Sequence, residues 1–149
     1  MEILSIALKT MFDDSPDLSY LGKYSNKYER GAINREAIGD MGRNEYKYFI
    51  PANDHYRFED YKRYEAYNNN RWCCVGITAF ASCITKLGNR NIAFEELSSG
   101  LWGIESDAGD YLDEIKQEQL MELRYNLSEL GFGMIELDKA FENIEEKEY

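Results

Sequence analysis

The sequence carries one histidine, His55, and no Cys-x-x-Cys pair among its three cysteines. These scarcities remove the usual zinc sites, which draw four well-spaced ligands from Cys and His. Cys73, Cys74 and Cys83 all lie in one apolar segment. An odd count without a secretory leader reads as free thiols, packed as small hydrophobes in a reducing compartment. No apolar run reaches the roughly 18 residues that a membrane-spanning helix needs. The N-terminal "MEILSIALKTMFDD" has an acid at its second position and no basic leader, so it does not read as a signal peptide. The expected location is therefore the cytoplasm. Internal repeats and low-complexity linkers are also missing, and no catalytic or cofactor motif is strong enough to name a reaction.

What is present fits a packed globule. The 149 residues are 44% hydrophobic and 14% aromatic, too apolar for a disordered chain. That length buries a sizeable core without disulfides or metals, so a single α+β domain over 1–149 is expected. Residues 2–12 alternate, with Leu4, Ile6, Leu8 and Phe12 on one face, and predict a strand. A second strand at 45–50 ends at Pro51. "RWCCVGITAFASCITK" (71–86) alternates again, with Cys73, Val75, Ile77, Ala79, Ala81 and Cys83 on one face of small and β-branched residues. Residues 91–103 return as its hairpin partner across "GNRN". These make an antiparallel sheet of about four strands.

Against that sheet the sequence places a shorter Tyr-rich helix over 55–67, capped by Asn53 or Asp54. It also places a long amphipathic helix over 107–130. Leu112, Ile115, Leu120, Leu123, Leu127 and Leu130 share one stripe there, and Gly131 ends the helix in a left-handed cap. A short acidic helix over 137–146 closes an acidic, helical third (105–149). The long segment between the first two strands reads as ordered surface with a short helix near 34–40, and connections of that length are more often functional than idle.

Charge is the strongest signal. The net charge is -11, yet residues 1–104 hold 14 acids and 13 bases, whereas 105–149 hold 14 acids and only four bases. Such asymmetry speaks about partners, not fold. "SSGLWGIESDAGDYLDEI" (98–115) begins that third. Ser106 or Asp107 is placed to cap the helix, with Asp107 and Asp110 spaced as a capping box and further acids in the first turns, where the helix dipole favours them. The alternative is a magnesium or calcium site, in a metal-dependent enzyme, built from Asp13, Asp14 and Asp17 with Glu105 or Asp107. The spacing matches no calcium-binding loop. Past the cap, Asp110, Glu114, Glu118 and Glu122 repeat every four residues, an arrangement that slightly destabilises a helix. With the tail acids Glu142, Glu145, Glu146 and Glu148, this ridge is the candidate partner-binding surface. Nine of the twelve tyrosines lie between Tyr20 and Tyr67, a weaker interface signal. The negative field argues against direct contact with nucleic acid, and nothing points to a membrane or a cofactor.

"DDSPDLSYLGKYS" (Asp13–Ser25) and "SSGLWGIESDAGDYLDEIKQEQLMELRYNLSELGF" (Ser98–Phe132) resemble a family of small uncharacterised proteins carried by phages, prophages and plasmids. The family pairs Asp-Ser-Pro-Asp-x-Ser-x-Leu-Gly with Gly-Leu-Trp-Gly-Ile-Glu-Ser-Asp and a long helix. This chain departs from it at Cys73–Cys74 and in its acidic tail. The resemblance implies a mobile-element setting and no catalytic residue. In that setting the acids suggest a non-enzymatic binding protein that inhibits a host nucleic-acid-binding defence complex, as a DNA mimic or anti-CRISPR-like protein. A phage accessory protein without inhibitory role is the further alternative.

Overall fold

The computed structural model describes residues 1–40 and 44–149. Along the chain run β1 (Glu2–Asp13), β2 (Gly22–Ser25), β3 (Ile33–Asn34), β4 (Tyr48–Pro51), a 3-10 turn (Asp54–Tyr56), α1 (Arg57–Asn68) and β5 (Cys74–Leu87). There follow β6 (Arg90–Leu97), β7 (Leu101–Glu105), α2 (Asp110–Glu129), α3 (Met134–Ala140) and β8 (Ile144–Glu148). The class is α+β, as expected. The chain forms two compact units, residues 1–14 with 73–149, and residues 15–72. Among the described residues no helix is long and apolar enough to cross a membrane.

In the first unit β1 and β5 pair antiparallel along almost their whole length, from Glu2 opposite Ile84 to Asp13 opposite Cys74. The sheet order is β6-β5-β1-β8, with β7 also pairing with β5. Alternation sends Ile77, Ala79, Ala81 and Cys83 into one core with Ile6 and Leu8, against Ile115, Leu120, Leu123 and Leu127 of α2. The small residues on β5 leave room for the helix to come close to the sheet. Gly88 and Asn89 make the β5–β6 turn, with Gly88 at φ +62°, the glycine-first geometry that suits a right-twisted hairpin. At the end of α2, Gly131 adopts φ +107°. Its N–H donates to the Ser128 carbonyl and the Phe132 N–H to that of Leu127, while Leu127 and Phe132 share the core. That is the predicted left-handed helix stop.

Several expectations need correction. Leu4 is 57% exposed, not on the core face, because the register shifts between Ile3 and Ser5. The bulge sends Ile3 inward in its place. Phe12 stays on the core face but lines a cavity of ≈ 320 Å³ at the sheet end. Leu130 is exposed, since α2 has already ended at Glu129. Cys74 and Cys83 are buried and Cys73 is half-buried, and none of the three is in a disulfide. Burial, with Glu96 and Glu136 nearby, pushes the Cys83 thiol up to about 11.

The hairpin partner of β5 is two strands, broken at Ser98–Gly100. Neither Ser106 nor Asp107 caps α2. Gly109 at φ +63° starts the helix without a side-chain cap, while Ser106 trades hydrogen bonds with the backbone of Cys73. The acidic helix over 137–146 is replaced by α3 and β8. β8 runs parallel to β1, and its closing bonds include Tyr149 N–H to the Thr10 carbonyl at 2.9 Å. Backbone pairing, to which side-chain periodicity is blind, decides that segment.

The second unit holds the strand predicted at 45–50, but in a sheet of its own. β4 is the centre of a three-stranded antiparallel sheet ordered β2-β4-β3. Asn53 Oδ1 accepts from the His55 N–H at 2.8 Å, but it caps the 3-10 turn and not the Tyr-rich helix, which starts at Arg57 with no side-chain cap. Residues 35–39 form turns, not a helix, and residues 41–43 lie outside the described residues.

Arg35 is fully buried here. Its Nε donates to the Tyr61 hydroxyl at 3.1 Å, and its Nη atoms donate to the Tyr46 and Asp40 carbonyls and to Asn44. Glu65 pairs with it at 3.3 Å, and its guanidinium lies 4.8 Å from the Tyr24 ring centre. Tyr24 in turn donates to Glu65, and Tyr61 to Asp40 at 2.6 Å. Burial, then the hydrogen bond to Asp40, pushes Tyr61 up to about 12. Burial, then Glu65, pushes Tyr24 well above the usual phenol range.

Candidate functional site

The candidate surface is set by the helical period of α2. With Ile115, Leu123 and Leu127 turned to the sheet, Asp110, Glu114 and Glu118 fall on the far side and are exposed. They form a row of carboxylates one turn apart. Gly109 frees the chain to turn into the helix, and Asp110 and Asp113 stand in its first turn, where the dipole favours anions.

Glu122 does not belong to that free row. Its Oε1 accepts from the Ser99 N–H at 3.1 Å and its Oε2 from the Ser99 hydroxyl at 2.9 Å. Gln119 Oε1, three residues earlier, accepts from the buried Ser98 hydroxyl at 2.6 Å and from the Gly100 N–H at 2.9 Å. Asn126 Nδ2, four residues later, donates to the Leu97 carbonyl at 3.2 Å. These three side chains of α2 hold the break between β6 and β7. Gly100 sits there at φ +81°, and an added Cβ would lie 2.6 Å from Thr78 Oγ1, so the break requires glycine.

The tail acids reach the surface by another route. Glu142 is exposed after α3, and Glu145, Glu146 and Glu148 are exposed on β8. The register places Glu146 beside Leu8 and Glu148 beside Thr10, on the side of the sheet that faces α2. Lys116 of α2 pairs with Glu146 at 3.0 Å and lines the same cavity as Glu148. Lys116 stands two residues from both Glu114 and Glu118, on a different side of α2, so the helix row and these tail acids are separate acidic patches. Glu145 falls on the opposite face, with Lys147 at 3.7 Å. Arg124 pairs with Asp138. Three of the four bases in residues 105–149 are thus engaged with acids of the same third.

The alternative carboxylate site has no geometry behind it. Asp13 Oδ2 accepts from the Gly103 N–H at 3.1 Å, and Asp17 is held below the usual carboxyl range by hydrogen bonds from Ser19, first its side chain and then its N–H at 2.9 Å. Asp14, Glu105 and Asp107 do not complete a cluster with them. Among the described residues no three His, Cys, Asp or Glu side chains are grouped to hold a metal ion.

The tyrosines divide. Tyr24, Tyr61 and Tyr64 pack on Phe49 and Ile33 in the small core, whereas Tyr20, Tyr28 and Tyr56 are exposed. Sequence reasoning passed over a second apolar line on α2, Met121 and Tyr125, whose i,i+4 spacing was present to be read. Comparison of the chain with protein-family models, curated proteins and solved structures gives no match.

Proposed function

We propose that this chain is a non-enzymatic acidic binding protein whose acidic surface docks on a basic face of a partner protein. The observation that carries this reading is the exposed row Asp110–Glu114–Glu118 on α2, with further exposed acids, Glu146 and Glu148, on β8. An excess of acid is tolerable on any surface. A row of like charges one turn apart works against its own helix, so a gain in recognition would explain it. A rigid array of carboxylates presents charge much as phosphates do, and a basic nucleic-acid channel binds phosphates by charge neutralisation. In the mobile-element setting that the motifs resemble, the partner is a host nucleic-acid-binding defence complex in the bacterial cytoplasm. The protein would then act as a DNA mimic or anti-CRISPR-like inhibitor.

The test uses Asp110→Lys, Glu114→Lys and Glu118→Lys together, and spares Glu122 because it holds Ser99. A nucleic-acid-binding partner recovered from host extract is loaded with labelled duplex, and its displacement is followed at low and high salt. The wild type should displace the duplex at low salt and fail as salt rises, since exposed charges are screened over about 8 Å at physiological ionic strength. The triple variant should fold with unchanged helix content, since Lys and Glu form helix about equally well, and should not displace the duplex. Equal displacement by both proteins would show that the row is only solvated surface.

A further inference from the structure

α2 and α3 enclose a groove of ≈ 440 Å³ that the acidic row alone does not explain. Phe132 and Leu137, both buried, form its floor. Met121, Tyr125, Ser128 and Met134 form its walls. Met121 is 71% exposed, Met134 75% and the adjoining Ile135 88%, more than isolated apolar side chains on a helix pair need to be. Met121, Tyr125 and Ser128 stand at i, i+4 and i+7, so the wall is two helical turns long, about 10 Å. That is the span over which an amphipathic helix seats its apolar anchors. Methionine walls suit such a role, because the unbranched thioether re-packs around different guests.

The rim decides what the guest must be. On α2, Glu118 lies three residues before Met121 and Glu129 four residues after Tyr125. On α3, Asp138 lies four residues after Met134. Each is one turn from a wall residue. Among the described residues the one cation lining the groove, Arg124, is paired with Asp138, its guanidinium 5.6 Å from the Phe141 ring centre. An acidic rim around an apolar floor repels a second copy of this chain and an anionic lipid surface. It complements a helix whose apolar stripe is flanked by Lys and Arg.

We infer that the α2–α3 groove is a docking site for a basic amphipathic helix of the partner protein. The inference rests on the acidic-binding reading above and narrows it: charge brings the partner in, and the groove selects a helix. Binding of this kind has two separable requirements, an apolar stripe and flanking bases, and specificity comes from demanding both.

The probe is a fluorescent, amidated Leu/Lys peptide of about four turns, or 14 residues, with leucines at i, i+3, i+4 and i+7. Its control has the same composition with the stripe dispersed. Polarisation titrations compare the wild type, Met121→Ser/Met134→Ser, and Glu118→Gln/Glu129→Gln. All four positions lie at the surface, so the variants should fold, and thermal unfolding checks that they do. The striped peptide should bind about tenfold or more tighter than the control. Binding should fall by a similar factor in the methionine variant, and it should weaken with salt and in the glutamine variant.

If both peptides bind the wild type equally and salt-sensitively, the acidic surface stands and the groove is overturned. If striped-peptide binding depends on the methionines but not on salt or the rim glutamates, the basic character of the guest is overturned and the acidic reading loses its support here. If neither peptide binds, the docking site is overturned. Self-association in sedimentation that disappears in the methionine variant would overturn it too, by giving the groove to a second copy.

Discussion

Glu122 on α2 accepts two hydrogen bonds from Ser99, one from its backbone N–H and one from its hydroxyl, across 23 residues of sequence. The contact fastens the helix to the break between β6 and β7. It also separates Glu122 from Glu118, which stands one turn away on the same helix and is exposed. Two acids from one periodic row thus have different duties.

Substitution should reveal the difference. Glu122→Ala leaves the Ser99 donors to water and should cost about 1 kcal/mol, the usual net worth of such bonds. Glu118→Ala should stay within about 0.5 kcal/mol, as exposed sites do. Urea unfolding of the two variants beside the wild type measures both, and equal midpoints for all three would remove the assigned role of Glu122.

Arg35 should be intolerant of even a conservative change. Its fork serves Tyr61, Asn44, Glu65 and two carbonyls at once, and a Lys offers a single point from which to reach them. Arg35→Met removes the charge and leaves Glu65 and the carbonyls unmet. A loss of about 3–5 kcal/mol is expected, the range for breaking a buried pair from one side. The tyrosine near-UV circular dichroism should change with it. Arg35→Lys should fall between Arg35→Met and the wild type in chemical denaturation.

Alkaline pH should destabilise the fold through the same network. Tyr61 is pushed up to about 12, and Tyr24 is raised further, by burial and by Asp40 or Glu65. The raised values mean that the folded state keeps these phenols protonated while the unfolded chain ionises near 10. Between those values the unfolded state binds fewer protons. The contribution to stability is therefore full below about pH 10 and is lost as pH rises through about 12. Tyrosinate absorbance should show a group of late-titrating phenols in the native protein, and urea midpoints should fall over the same window. If all tyrosines titrate together near 10 in the folded state, the network is not closed as described.

Much of the fold was legible where a face repeats. α2 shows itself through Ile115, Leu120, Leu123 and Leu127, and β5 through its small-residue alternation, because burial imposes a period of 3.6 or 2. What eluded the sequence was decided by other means. β8 has no apolar period, since "IEEKE" is a strand only because β1 offers it backbone partners. Residues 45–50 alternate like any strand, and alternation does not say which sheet they join. Leu4 was misplaced by a bulge that only pairing reveals. The acids of the candidate surface could be counted from the sequence. Whether each was free could not, because Ser99 and Lys116 become neighbours of Glu122 and Glu146 only after folding.

β8 forms an outer edge of its sheet, and among the described residues no strand pairs with its far side. A bare edge is a template on which further chains can stack. Here four of its five residues, Glu145, Glu146, Lys147 and Glu148, are charged, and no incoming strand can pair with it without burying some of that charge. The acids read above as a recognition surface thus also act as a guard against fibre growth. Glutamates at this edge that are neutralised, by substitution or by acid, give up colloidal stability along with any partner, so precipitation should be watched as closely as binding when they are changed.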